Sequence, residues 1–163
     1  MAANGFIAVQ GAVSALDHLT GRSTALEAEW LAKTQGGDAL PRATYLMLLT
    51  QTVTDAQTDM ATLLGIEAAG TGYARQPIPW AAAATGTRTA ATSDLVQFGP
   101  FSDPTGLAAP VTGAALVTRM TSSAGQPTGL CLMAWNLATP ITTSQNQALQ
   151  LAVDSLQMTL AVS

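Results

Sequence analysis

Histidine and cysteine are nearly missing from this chain: His18 and Cys131 stand alone among 163 residues. One cysteine rules out an intrachain disulfide, and with a single histidine there is no Cys/His cluster of metal-site spacing. Cys131 lies within an apolar run, which predicts a buried, inert thiol in a chain made in a reducing cytoplasm. Charge is scarce too, at 10% of residues against a usual share of about a quarter. The six basic residues (Arg22, Lys33, Arg42, Arg75, Arg88 and Arg119) are scattered singly within a net charge of −4. Without a phosphate-neutralising patch, nucleic-acid binding finds no support. The longest apolar runs, Tyr45 to Leu49 and Leu130 to Leu137, are far shorter than the roughly 20 residues that cross a bilayer. No membrane partner is expected, and Met1 to Gln10 lacks the basic start and apolar run of a secretion signal.

What is present is 48% hydrophobic, with alanine, threonine, serine and glycine supplying much of the rest. A surface so poor in charge predicts cover by copies of the chain or by other proteins. The length suits one β domain over residues 41–163 with a helical arm over residues 1–40.

The chain is organised around Gly70-Thr71-Gly72-Tyr73-Ala74-Arg75-Gln76-Pro77-Ile78-Pro79-Trp80. Its glycines permit a sharp turn, and its prolines allow a strand only at an edge, at a strand start or beside a bulge. Tyr73, Arg75, Pro77 and Pro79 would face one way, and Ala74, Gln76, Ile78 and Trp80 the other. An edge strand is the plain reading and a ligand-binding loop the alternative.

Residues 1–10 show no clear period and read as poorly ordered or partner-dependent. Val13, Leu16 and Leu19 fall at helical spacing with Gly21 as a stop, and Thr24 with Glu27 has capping-box spacing for a second helix. Ala43 to Thr50 predicts a buried strand, and Thr54 to Leu64 either a short helix capped by Thr54 with Gln57 and stopped by Gly65 or a long structured loop. Thr85 to Thr92 and Asp94 to Phe98 read as two short strands or one broken strand. Val111 to Met120 and Leu130 to Leu137 are the clearest β signal, followed by a loop over Pro140 to Asn146. Leu149, Leu151 and Val153 alternate, then Leu156, Met158, Leu160 and Val162, and the slip at Asp154-Ser155 predicts a turn or a bulge. The sum is an α+β, mainly β fold: an antiparallel β-sandwich or barrel with short N-terminal helices.

Catalytic groups are sparse. Asp55, Asp59, Asp94 and Asp103 were they paired would suit glycoside cleavage, yet turn and helix caps account for them more simply. His18 beside Asp17 reads as a capping or packing imidazole, and Cys131 lacks any cue of an activated thiolate. Trp30, Trp80 and Trp135 lie in apolar patterns that favour packing over sugar stacking. No cofactor is expected.

Ala15-Leu16-Asp17-His18-Leu19-Thr20-Gly21, Ala43 to Thr50, the block Gly70-Thr71-Gly72-Tyr73-Ala74-Arg75-Gln76 and Ala134-Trp135-Asn136-Leu137-Ala138-Thr139-Pro140, taken in that order, resemble a family of small tailed-bacteriophage virion proteins. Its members are labelled tail fibre, minor tail or head decoration proteins. The likeness spans residues 11–162, with Gly70 to Gln76 its most specific part and residues 22–39 looking like an insertion. It implies a β-sandwich body and a place on the particle. The expectation is a non-enzymatic virion structural protein that decorates or stabilises the capsid as a homo-oligomer, touching copies of itself and major capsid or tail proteins. The alternative is a receptor- or glycan-binding module at a tail or fibre tip. Candidate interaction residues are Leu16, Leu19, Trp30, Leu31, Tyr73, Arg75 and Trp80. Because two short helices cannot bury their own apolar positions, the sheet of the same subunit or a neighbour must cover them. Removal of residues 1–35 is expected to leave a folded β domain that no longer assembles.

Overall fold

Tyr45–Leu49 forms a strand in which every residue is buried, because the sheet it belongs to is covered on both faces. The structure, a computed structural model, describes residues 5–35, 42–54, 59–82, 89–120 and 129–159. Its elements run β1 (Gly5–Ile7), α1 (Val9–Leu19), α2 (Ala25–Gln35), β2 (Tyr45–Leu49), α3 (Met60–Gly65), β3 (Gln76–Pro77), β4 (Thr89–Ala91), β5 (Val96–Phe98), β6 (Val111–Val117), β7 (Cys131–Ile141), β8 (Leu149–Leu151) and β9 (Gln157–Thr159). Five strands make one antiparallel sheet in the order β1-β7-β6-β2-β3. Alternate residues of β2 feed two cores. Tyr45, Met47 and Leu49 pack with Met60, Leu63, Val117 and Cys131 on the helical side. Leu46 and Leu48 pack with Ile78, Phe98, Phe101 and Leu116 on the other.

The second layer is built from two separate two-stranded sheets, β4-β9 and β5-β8. The fold is mainly β as expected, but the sandwich is not closed: among the described residues the second layer stays divided into these two separate pairs. β3 sits at an edge with its proline exposed, as the Pro77 and Pro79 pattern predicts. β7 runs on to Ile141, so the expected Pro140 loop starts later; among the described residues β1 pairs with it from Met133 to Trp135. The phase slip at Asp154 is a turn, with Asp154 at φ 61°.

Of residues 1–10, expected to be poorly ordered or partner-dependent, 1–4 lie outside the described residues and 5–10 form regular structure on the sheet. β1 adds to the free edge of β7, and Ala8 is buried with its N–H on Leu132 O at 3.0 Å. α1 then lies directly on β7 because Gly11 has no Cβ to strike the Leu132 carbonyl. The capping box forms as predicted, with the Glu27 N–H on Thr24 Oγ1 at 2.9 Å and the Thr24 N–H on Glu27 Oε2 at 3.0 Å. α3 is capped by Asp59 and not by Thr54: the Asp59 carboxylate accepts the Thr62 N–H at 2.9 Å. Thr54 lies too far upstream for that role, and Gln57, its expected capping partner, lies outside the described residues.

Candidate functional site

The glycine-rich block builds an internal polar cluster. Gly72 takes φ 93° and passes so close to Pro100 that an added Cβ would stand 2.5 Å from its carbonyl oxygen. The turn directs Tyr73 and Arg75 inward. Arg75 is 2% exposed; its Nε donates to Glu67 Oε1 at 2.8 Å and its Nη2 to Glu67 Oε2 at 2.7 Å. The Tyr73 hydroxyl donates to Glu67 Oε1 at 3.1 Å and accepts the Leu48 N–H at 3.1 Å, while its ring stacks on Phe98 at 6.1 Å. Burial, then the Glu67 carboxylate, push the Tyr73 hydroxyl above its ordinary pKa.

The cluster continues across the sheet. Arg75 Nη1 donates to Arg119 O at 3.0 Å, and the Arg119 guanidinium grips both oxygens of Glu29 on α2. Lys33, one turn further along α2 and 3% exposed, donates to Thr118 O at 2.8 Å and Ala43 O at 3.3 Å, with Nζ 5.2 Å from the centre of the Tyr45 ring. Glu29, Lys33, Glu67 and Arg119 were not singled out by sequence pattern. Their partners are up to 90 residues away, and no local spacing encodes such a pairing.

Of the candidate interaction residues, Tyr73 and Arg75 are both held by Glu67 within the fold. Trp80 is half-buried, its Nε1 donating to Thr44 Oγ1 at 2.8 Å. Its ring lines a 560 Å³ groove between the five-stranded sheet and β5-β8, together with Leu116, Met133, Trp135, Leu149 and Leu151. Asp154, Gln150 and Gln157 also line this groove. On the opposite side, the helices leave Val13 48%, Leu16 63% and Leu31 57% exposed. Trp30 is half-buried with the Arg42 guanidinium 5.7 Å from its ring centre. Leu19 ends α1, and its side chain lies outside the described set. The candidate residues thus separate into an internal cluster, a groove and a helical face.

The other weighed groups have local roles. The Thr62 hydroxyl and N–H hold the Asp59 carboxyl below the usual range, and the Thr71 N–H, 2.6 Å from Asp103 Oδ2, does the same for Asp103. Asp94 accepts the Leu95 N–H, and Asp55 lies outside the described residues. His18 Nδ1 stands 3.4 Å from Glu27 Oε1 in the open, and the Thr24 N–H chiefly holds Glu27 below its ordinary value. Burial pushes the Cys131 thiol up to about 12. Among the described residues no group of three or more His, Cys, Asp or Glu could hold a metal ion, and no helix is long and apolar enough to cross a membrane.

This mainly β chain, with its open apolar surfaces, is a tailed-phage virion protein of the fibre class. The family model described as Podophage GP4 fiber I protein gp80 matches residues 21–159, and the chain belongs to that family. No curated protein and no solved structure matches it.

Proposed function

We propose that the chain is a non-enzymatic structural subunit of the phage fibre that assembles with copies of itself. The observation that carries this reading is the amount of apolar surface left open on a chain with so few charges: Val13, Leu16 and Leu31 on the helices, and the groove on the other face of the sheet. Such patches on a soluble subunit are interaction surfaces. In this reading the protein is made in the host cytoplasm and joins tail proteins of the particle, with no nucleic acid, membrane or cofactor taking part. Capsid decoration is the competing location. Quantitative mass spectrometry of purified virions separates them: a few copies per particle fit a fibre, hundreds of copies fit the shell, and absence from the virion refutes both.

A glycan-binding role at the fibre tip is a second reading, favoured by Trp80 and Trp135 beside Gln150, Asp154 and Gln157 in one groove. The predominance of Leu, Met and Val in the lining speaks for an apolar occupant instead. Binding of host polysaccharide by the purified chain, lost on Trp135→Ala with the fold retained, would establish the second reading.

A further inference from the structure

Helix α2 turns its charges inward and leaves apolar residues outside. Of its 11 residues Glu29 and Lys33, one turn apart, are the buried ones; Leu26 and Trp30 are half-buried and Leu31 is 57% exposed. Among the described residues, Glu29 and Lys33 reach groups at the strand ends. The Glu29 carboxylate accepts from the Arg119 guanidinium and the Thr118 hydroxyl, just beyond β6. Lys33 Nζ donates to the carbonyls of Thr118 and of Ala43, which precedes β2. The other helices are seated differently. Gly11 of α1 lies against the Leu132 carbonyl, and Met60 and Leu63 of α3 are buried in the helical-side core.

We propose that α2 is a latch: it lifts from the sheet as a unit while α1 and the β body stay folded, and the Glu29–Arg119 pair sets how often it does so. An apolar seat resists separation in proportion to the area exposed, whereas separated ions regain their hydration, so a seat made of charges opens more readily. A helix of 11 residues is marginal in water without a seat, and α2 therefore melts as it lifts. Gly21, at φ 73° with open space where a Cβ would stand, gives the exposed turn before α2 room to swing. Lifting frees the Arg119 guanidinium and takes Lys33 away from the Tyr45 ring, so the helical side has a second arrangement without any change in the sheet. The latch is a property of the chain itself and does not depend on the fibre role proposed above.

Hydrogen exchange of the full chain at neutral pH, read by mass spectrometry on fragments covering residues 29–33, tests the latch. These amides are expected to exchange at least about 100-fold faster than those of β2 and β6, with α1 more protected than α2. Arg119→Met strands the Glu29 carboxylate in the closed state and should speed exchange in α2 by about tenfold or more, leaving β2 and β6 unchanged. Glu29→Leu combined with Arg119→Met removes both charges and should slow α2 toward the rate of the body. If Arg119→Met fails to fold, Glu29→Gln, which keeps the shape and weakens the pair, takes its place with the same expected direction. Exchange of α2 at the rate of β2 and β6 in the parent protein overturns the latch, and that outcome needs no variant. Equal exchange in α1 and α2 overturns α2 as the moving unit. Variants that leave α2 at the parent rate overturn the ion pair as what holds it.

Discussion

Arg75 and Glu67 meet side by side, two nitrogens on two oxygens at 2.8 and 2.7 Å, with the Arg75 side chain only 1% exposed. The pair ties the chain entering β3 to the segment that follows α3. Through the Arg119 carbonyl and Glu29 it also connects with α2. A bidentate pair with further hydrogen bonds from Tyr73 has the geometry in which buried charges offset their desolvation.

Arg75→Ala leaves the Glu67 carboxylate without its guanidinium and is expected to cost about 3–5 kcal/mol. The double replacement Arg75→Met with Glu67→Leu should cost much less, since neither charge is then stranded. Urea unfolding of the two proteins checks this, and equal losses would show that the charge pairing is not what the site contributes.

Residues 1–35 are joined to the β body more closely than an arm would be. Their removal strips β1 from β7, uncovers the contacts of Ala8 and leaves Arg119 without Glu29. The truncated chain is expected to lose its cooperative thermal transition or to melt well below the parent. A truncation that melts with the parent would restore the arm as a separable unit.

Two glycine substitutions should have opposite signs. Gly72→Ala forces a Cβ onto Pro100 O at φ 93° and is expected to destabilise by about 1–3 kcal/mol. At Gly65, the last residue of α3, an added Cβ meets nothing within 4 Å, and alanine should gain up to about 1 kcal/mol from its helix preference. Chemical denaturation of both variants against the parent measures the contrast.

Acid should weaken the fold through Asp59, Asp103 and Glu27, all held below their ordinary pKa by local N–H or O–H donors. A carboxylate with a depressed folded pKa stabilises above its unfolded value, about 4, and loses that contribution as pH falls through the folded value. The melting temperature is therefore expected to hold from neutral pH to about 5 and to drop below about 4. Asp103→Asn, whose side-chain carbonyl can still accept the Thr71 N–H, should flatten part of that drop.

Cys131 is fully buried, and its thiol is pushed up to about 12. It should therefore resist an aromatic disulfide reagent at pH 8 until denaturant is added. Prompt reaction of the native protein would mean that β7 opens readily.

Short-range physics was legible in the sequence. The Tyr45 run, the Thr24–Glu27 box, the edge prolines and the turn at Asp154 each follow from neighbours within a few residues. The alternation drawn through Tyr73 to Trp80 was less reliable: Arg75 and Ile78, assigned to opposite faces, are both buried because β3 is only two residues long and the chain bends on either side. The ion pairs escaped detection because Glu29 meets an arginine 90 residues away, and because the turn that folds Arg75 back onto Glu67, eight residues earlier, leaves no periodic spacing. β1 escaped it because three residues acquire strand character only by lying against the edge of β7.

Two prolines of the five-stranded sheet bear on crowding. Pro77 lies in the edge strand β3, and Pro140 is exposed near the end of β7, beyond its pairing with β1 among the described residues. A proline offers no N–H to an incoming strand, so neither stretch is a ready template for another backbone. Copies held at high local density can then touch through side chains without zipping into a cross-β aggregate.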